Sequence, residues 1–516
     1  MTADVLLKAQ EAVVKILKKE NRTMKILKLS AIAALTCLLT STLSADDTEP
    51  KRVLKNNMME VYNTLPSTAN TLSEAFTEGI FYGRLRTNAF RWDWENDANG
   101  DNKAFGLGGS LIYKTAPFHG LSATAGLYYS NSPFSSLRED NADVGTVKSG
   151  KDTFSRYDVL NGGDWSMSVL GQAYLQYDVS KTSFKVGRQI FESFLTKSND
   201  TKMIPNTFEG YTVAINEIPK TTIRGAYFTA QKLRDHTSFH DVLTFKDSSG
   251  SSWNNNDDSA VHKGLSYNNL KPHGKEENEL VVVDFKNKSI NNLVMDVTYG
   301  SVPGLFSSLT GELNYKIALS DNLSLTPGVR HMQQFDDGAG VIGGASLSGT
   351  LAGLTGAQQG YKDASSLDTS LSMARLVLTD GIFKAQIAYS QVADESDIIA
   401  PWRGFPTGGY TRAMAQYNWR ADTKTTSAEV YYDFGKAKIL DGFSALARYA
   451  MQDFDEDKQA AGVQADSNIL HMDFRQRFTP TIDAKIRLAF VDADDRVGGN
   501  NKDSYNEYRF ELNYLF

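Results

Sequence analysis

Cysteine is nearly absent from this 516-residue chain. It occurs once, at Cys37, which excludes a disulfide framework and any metal centre built on several thiolates. Proline is also scarce, at 12 residues, so long strands can run uninterrupted. There is no excess of positive charge: the net charge is -7 and the pI about 5.6, without a basic run beyond the leader, and nucleic acid is excluded as a partner. Beyond residue 45 no stretch reaches the eighteen or so apolar residues that a spanning helix needs. Any membrane crossing must therefore be made by strands.

What is abundant fits that exclusion. Hydrophobic residues make up 41% and aromatics 11%, with 40 glycines, a composition suited to many punctuated strands. Residues 24–45, MKILKLSAIAALTCLLTSTLSA, carry Lys25 and Lys28, an apolar run from Leu29 to Leu39 and small residues up to Ala45. This is the pattern of a Sec-type signal peptide cleaved after Ala45. A lipoprotein anchor at Cys37 is the weaker reading, because Ala34-Leu35-Thr36 is a poor lipobox. Residues 1–23 are then expected to be a mis-assigned extension upstream of a true start at Met24, and 46–78 a periplasmic segment with Leu72, Ala75 and Phe76 at helical spacing.

From residue 79 to 516 the chain alternates with period two in segments of about ten residues. In one of them Trp165, Met167, Val169, Gly171, Ala173, Leu175 and Tyr177 share one face, and Ser166, Ser168, Gln172, Tyr174 and Gln176 share the other. Short connections at 115–120, 180–182, 218–220, 287–289, 319–322, 379–381, 435–442 and 479–480 alternate with long ones. The long ones fall at 95–103, 130–164, 192–209, 233–278, 300–308, 333–367, 393–424, 454–467 and 492–504. A further strand at 412–419 would invert this order and is rejected. The expectation is an all-β fold, a single transmembrane antiparallel β-barrel of about 18 strands with periplasmic turns and extracellular loops. A soluble sandwich or propeller fits less well. The last strand alternates Tyr508, Phe510, Leu512, Tyr514 and Phe516 with Arg509, Glu511, Asn513 and Leu515 to the final residue, in the manner of a signal for barrel-assembly machinery.

With aromatic faces turned to lipid, the opposite parity faces the lumen. Arg84 and Arg86 on the first strand, Arg448, Arg475, Arg477, Lys485, Arg487 and Arg509 on the last four then form a contiguous basic wall, partly neutralised by Asp473, Asp483 and Glu511. Space-filling ion pairs would explain any one of these residues, but clustering on five adjacent strands points to an anion-favouring pore.

The segment Phe184 to Gly210, FKVGRQIFESFLTKSNDTKMIPNTFEG, resembles the OprD-type family of substrate-specific outer-membrane porins. So do Gly83-Arg84-Leu85-Arg86, Ala421-Asp422-Thr423-Lys424 and Tyr432-Asp433-Phe434. The resemblance implies a third outer loop, here 192–209, that folds inward as a constriction facing an arginine ladder which guides small carboxylate-bearing solutes. Ser198, Asn199, Asp200, Thr201, Lys202, Pro205, Asn206, Thr207 and Phe208 match that loop's motif, with Asp200 and Lys202 presenting opposite charges.

Other motifs imitate chemistry. Gly145 to Lys151 nearly spells a phosphate-binding loop but continues with Asp152, and Gly338, Gly340 and Gly343 lack a crossover helix. His236, His240, Asp235 and Asp241, joined by His262 or His273, are loop residues for which no metal is expected. The expected function is passive, substrate-selective diffusion without cofactor or catalysis. Small hydrophilic solutes, outer-membrane lipid and lipopolysaccharide are the partners, and the state is monomer or homotrimer. A hydrolase on a barrel rim or an adhesin-like structural barrel stays open, although no G-x-S-x-G is present. An energy-coupled transporter would need about 22 strands and a plug.

Overall fold

Period-two alternation becomes eighteen long antiparallel strands. The computed structural model describes residues 52–54, 60–62, 67–96, 99, 101–133, 153–198, 202–245, 262–349, 351, 356–414, 417–499 and 503–516. The strands are β1 (Ile80–Trp94), β2 (Asn102–Lys114), β3 (Leu121–Asn131), β4 (Ser166–Val179), β5 (Thr182–Gln189) and β6 (Thr207–Ile215). They continue as β7 (Thr221–Lys232), β8 (Leu280–Asn287), β9 (Leu293–Val302), β10 (Phe306–Tyr315), β11 (Ser324–Asp336) and β12 (Thr369–Thr379). The last six are β13 (Phe383–Val392), β14 (Lys424–Asp433), β15 (Phe443–Asp453), β16 (Ser467–Arg477), β17 (Ile482–Ala493) and β18 (Tyr505–Leu515). Each pairs with its sequence neighbours, and the ring closes where β18 meets β1. Ile317–Ala318 merely prolongs the pairing of β10 with β11. Closure leaves no edge strand, which is what a sheet in hydrocarbon requires.

The faces follow the expected parity except on β4, where a bulge at Gly171 reverses it: Met167 and Val169 turn into the interior against Ile112 and Met203, while Leu170, Leu175 and Tyr177 face out, so the single face expected from Trp165 to Tyr177 is split. Leu85, Tyr211, Ile387, Val430 and Leu512 are outward and exposed, Ile387 by 61% and Val430 by 52%, so a continuous apolar belt faces away from the lumen. No helix among the described residues is long and apolar enough to cross a membrane. The rejected strand at 412–419 is indeed not a strand where it is described. One expected long loop is absent: β9 ends at Val302 and β10 begins at Phe306, so 303–305 is a tight turn with Gly304 at φ 71° and not a nine-residue loop. The alternation of Val302 and Phe306 continues the strands through residues that read as polar loop.

The hydrophobic core lies inside the barrel toward its long-loop end. Phe191, Leu195, Phe208, Phe228, Val242, Trp402, Tyr410 and Trp419 form it, drawn from strands and from the third, fourth and seventh long loops. At the opposite end Leu72–Thr77 forms a short helix capped by Thr71, whose hydroxyl accepts from the Glu74 amide at 3.1 Å. The Ala116 amide donates to the Ala75 carbonyl at 2.9 Å, fixing the helix on the turn between β2 and β3. The extension 1–23 and leader 24–45 lie outside the described residues.

Candidate functional site in the constricted lumen

The third long loop enters the lumen. Asn88 on β1 donates to the Lys202 carbonyl at 2.8 Å and Arg86 donates to the Met203 carbonyl at 3.5 Å, so the loop crosses from β5 to the inner face of β1. Ser198 is fully buried, its hydroxyl donating to Glu192 Oε1 at 2.6 Å and its carbonyl accepting from the Asn206 amide at 2.7 Å. Lys202 lies 4.3 Å above the Phe90 ring on the lumen lining.

A second loop enters beside it. The seventh long loop, 393–423, is held by side chains of five consecutive strands that donate to its backbone carbonyls. Arg330 of β11 binds those of Pro406 at 3.2 Å and Gly408 at 3.0 Å, and Arg375 of β12 binds that of Gly409 at 2.9 Å. Gln386 of β13 and Ser427 of β14 both bind that of Tyr410 at 3.2 Å, and Arg448 of β15 binds that of Arg412. Backbone carbonyls away from water need such donors, and here barrel side chains supply them. The two loops meet where the Gly404 amide donates to the Leu195 carbonyl at 2.7 Å and the Lys197 amide to the Trp402 carbonyl at 3.0 Å. Ala413 is seated on Trp92, Ala450, Ile469, Val491 and Tyr505.

Between loops and wall remains a cavity of about 1760 Å³. Seventeen Arg or Lys residues line it against eight Asp or Glu, in a chain whose net charge is -7. On the wall, register sets Arg475 opposite Lys485 and Arg487 opposite Arg509. Like charges so placed repel, and carboxylates separate them. Asp473 holds Arg487 at 3.0 Å and Lys485 at 3.2 Å, Asp483 holds Arg475 at 2.5 Å, Glu507 pairs with Arg509, and Glu429 takes both Arg448 and Lys384. The opposite side repeats the motif: Glu312 holds Arg330 at 2.5 Å and Arg375 at 3.0 Å, and Arg224 meets Asp284 at 2.5 Å.

The expected site residues divide. Arg448, Arg475, Lys485, Arg487 and Arg509 come together on the lining. Arg84 and Arg86 also face inward but are fully buried on the stretch of β1 that the third loop reaches, and are not part of the lining. Arg477 sits exposed at the short-turn end of β16, off the cavity. Phe208 belongs to β6, not to the loop, and stacks on Phe228 at 4.8 Å within the core. Asn199, Asp200 and Thr201 lie outside the described residues, as do residues 145–151.

The loop histidines bond to one another and to backbone. His236 Nδ1 lies 2.7 Å from His240 Nε2, and His262 uses both ring nitrogens on the Gly344 carbonyl and the Gly264 amide. Among the described residues Asp394, Asp422 and Asp455 are the carboxylates close enough to share a cation, and the Lys458 ammonium, 2.5 Å from Asp394 and from Asp455, already sits between them.

Sequence reasoning missed Arg412. Its guanidinium carbon lies 3.3 Å from the centre of the Phe405 ring, and its charged neighbours include Arg509, Arg234 and Arg487. Burial first, and those cations second, push it down to about 9, so it is still charged at neutral pH. A signal existed: Pro401-Trp402-Arg403-Gly404-Phe405-Pro406 is too aromatic for a solvated outer loop.

A closed eighteen-stranded barrel with an apolar outer belt and a charged, loop-narrowed lumen defines a channel of the outer membrane. The profile of the outer membrane porin, OprD family, matches residues 164–516. The chain belongs to that family. The fold is similar to the crystal structures of Acinetobacter baumannii OccAB3 (TM-score 0.64, 16% identity, covering 85% of this chain and 99% of that one) and Pseudomonas aeruginosa OccK8 (OprE) (0.64, 16%, 86% and 99%). It is also similar to Pseudomonas aeruginosa OpdK with vanillate (0.63, 12%, 86% and 99%). No curated protein sequence matches the chain.

Proposed function

We propose that this porin passes small hydrophilic anions, carboxylates first among them, down their gradient. The observation that carries the reading is the lining of seventeen cations against eight carboxylates. A narrow passage with such an excess concentrates counter-ions and favours their entry, and guanidinium forks suit carboxylates in particular. The same reading takes 24–45 as the export leader and the basic lumen residues Arg448, Arg475, Lys485, Arg487 and Arg509, with Lys202 of the third loop, as the path. No observation favours a hydrolase or an adhesin. In planar bilayers under a salt gradient the reversal potential is expected to show anion preference, and proteoliposomes are expected to swell faster in small carboxylates than in amines of equal size. Cation preference in both assays would overturn the reading.

A further inference from the structure

The seventeen lining cations are not equivalent. Eleven of them have a carboxylate oxygen within ion-pair distance: Arg224, Lys286, Arg330, Lys384, Arg420, Arg448, Arg475, Lys485, Arg487, Arg496 and Arg509. Four more, Arg156, Lys202, Arg234 and Lys263, have partners as well. Two remain, Lys197 and Arg412, with no carboxylate at that distance among the described residues.

Their positions set them apart further. The eleven include every wall cation that lines the cavity, where Lys384, Arg448, Arg475, Lys485, Arg487 and Arg509 face five carboxylates, Glu429, Asp473, Asp483, Glu507 and Glu511. Opposite charges at 2.5 to 3.2 Å form dipoles whose field falls off faster than that of a single charge, and a guanidinium already bound to a carboxylate has fewer donors to offer. Lys197 and Arg412 both belong to loops that fold into the lumen. The Nε of Arg412 is buried without a hydrogen-bond partner. Phe405 covers one face of its guanidinium, and Ala413, packed against the wall, holds its backbone in place. A cation whose donors are unfilled, fixed by stacking and flanked by Arg487 and Arg509, is built to receive an anion.

We propose that the charge preference of the channel is set by Lys197 and Arg412, carried in by the third and seventh loops, and that Arg412 with Arg487 and Arg509 beside it forms a subsite for one carboxylate. The paired wall then supplies the frame and a smaller share of the selectivity. This rests on the anion-channel reading above.

The test is a set of reversal potentials in planar bilayers for wild type, Arg412→Gln, Arg412→Lys, Lys197→Gln, the loop double variant Lys197→Gln/Arg412→Gln, and the pair variant Arg475→Gln/Asp483→Asn, each confirmed as a folded barrel by heat-modifiable migration and single-channel steps. Acetate in place of chloride probes the subsite. The loop double variant is expected to lower the anion-to-cation permeability ratio by at least about threefold, and Arg475→Gln/Asp483→Asn, which removes a whole ion pair of the wall without changing its net charge, by less than about 1.5-fold. Arg412→Gln should lose acetate preference and Arg412→Lys should keep most of the charge selectivity while losing part of it for acetate. A loop double variant with the wild-type ratio, or a shift for Arg475→Gln/Asp483→Asn as large as that of the loop double variant, overturns the inference while leaving the anion channel standing. A wild-type ratio at or below one overturns both.

Discussion

Asp473 touches three charged or titratable side chains at once: His471 at 2.8 Å, Lys485 at 3.2 Å and Arg487 at 3.0 Å. Removing its charge leaves two cations on the lumen side of the wall uncompensated. Asp473→Asn should therefore raise the anion-to-cation permeability ratio, by about two- to threefold in moderate salt and less in high salt, where screening shortens the reach of the field. It should also make the barrel less heat-stable, because breaking such a pair costs more than the pair contributes. An unchanged ratio would mean that Asp473 serves only packing. That Arg448, Arg487 and Arg509 face inward was legible from parity alone. Partial neutralisation by Asp473 was legible with it, but the individual pairs were not: Glu429 and Asp473 stand directly opposite Arg448 and Arg487 only in the observed strand register, and Glu507 reaches Arg509 along the same strand, neither of which alternation encodes. The burial of Arg84 and Arg86 was hidden for another reason: it depends on where the third loop lands on β1.

At the level of elements, the loops show the same limit. The strands were readable because one face needs lipid and the other does not, whereas the seventh loop is positioned by donors from five different strands, a relation with no period along the chain. Its contact with the third loop passes through Gly404, where a side chain would collide with the Leu195 backbone. Gly404→Ala should part the two loops and widen the passage. Single-channel conductance is expected to rise by about half or more with barrel migration unchanged, since loops rather than staves narrow such lumens. Unaltered conductance would place the constriction elsewhere. The fourth loop offers a pH-dependent counterpart. Asp241 accepts from the Leu243 amide at 2.8 Å and the Asn278 amide at 2.6 Å, joining two ends of that loop, beside the hydrogen-bonded His236 and His240. Burial raises its pKa to about 6 from 3.8, against those hydrogen bonds, which lower it. A carboxyl whose pKa is raised on folding contributes stability fully present below the unfolded value of 3.8 and lost as pH rises through about 6. Proteolysis or hydrogen exchange of residues 233–245 should accordingly be slower at about pH 5 than at pH 8, and Asp241→Asn should remove the part of that trend which the histidines do not supply. Faster cleavage in acid would contradict the assignment.

For the molecule as a whole, the decisive event is closure of the ring. Both ends of the barrel sequence take part, so every other strand pair is local and this one spans the entire domain. The last residue is a member of it: the Phe516 amide donates to the Gly83 carbonyl at 3.1 Å and the Gly83 amide to the Phe516 carbonyl at 3.2 Å. Leu515 stands in register with Arg84 one step further in. At Gly83 a side chain would meet the Ser110 backbone and the Phe516 ring together, so the seam admits glycine there because β2, β1 and the terminal ring converge. An unclosed barrel exposes two edges to hydrocarbon, each unpaired backbone group costing several kcal/mol. Small losses at the seam should thus act on assembly of the whole. Gly83→Val and deletion of Phe516 are each expected to reduce the yield of heat-modifiable, folded barrel by about fivefold or more in outer-membrane fractions, whereas Phe516→Tyr, which keeps the backbone pair and the ring, should fold at close to the wild-type level. A control on the belt separates closure from lipid contact: Val430→Ala removes apolar surface from an outward position without touching a strand pair, and its yield should stay near that of wild type. If Gly83→Val assembled as well as this control, closure would not depend on the fit at the seam.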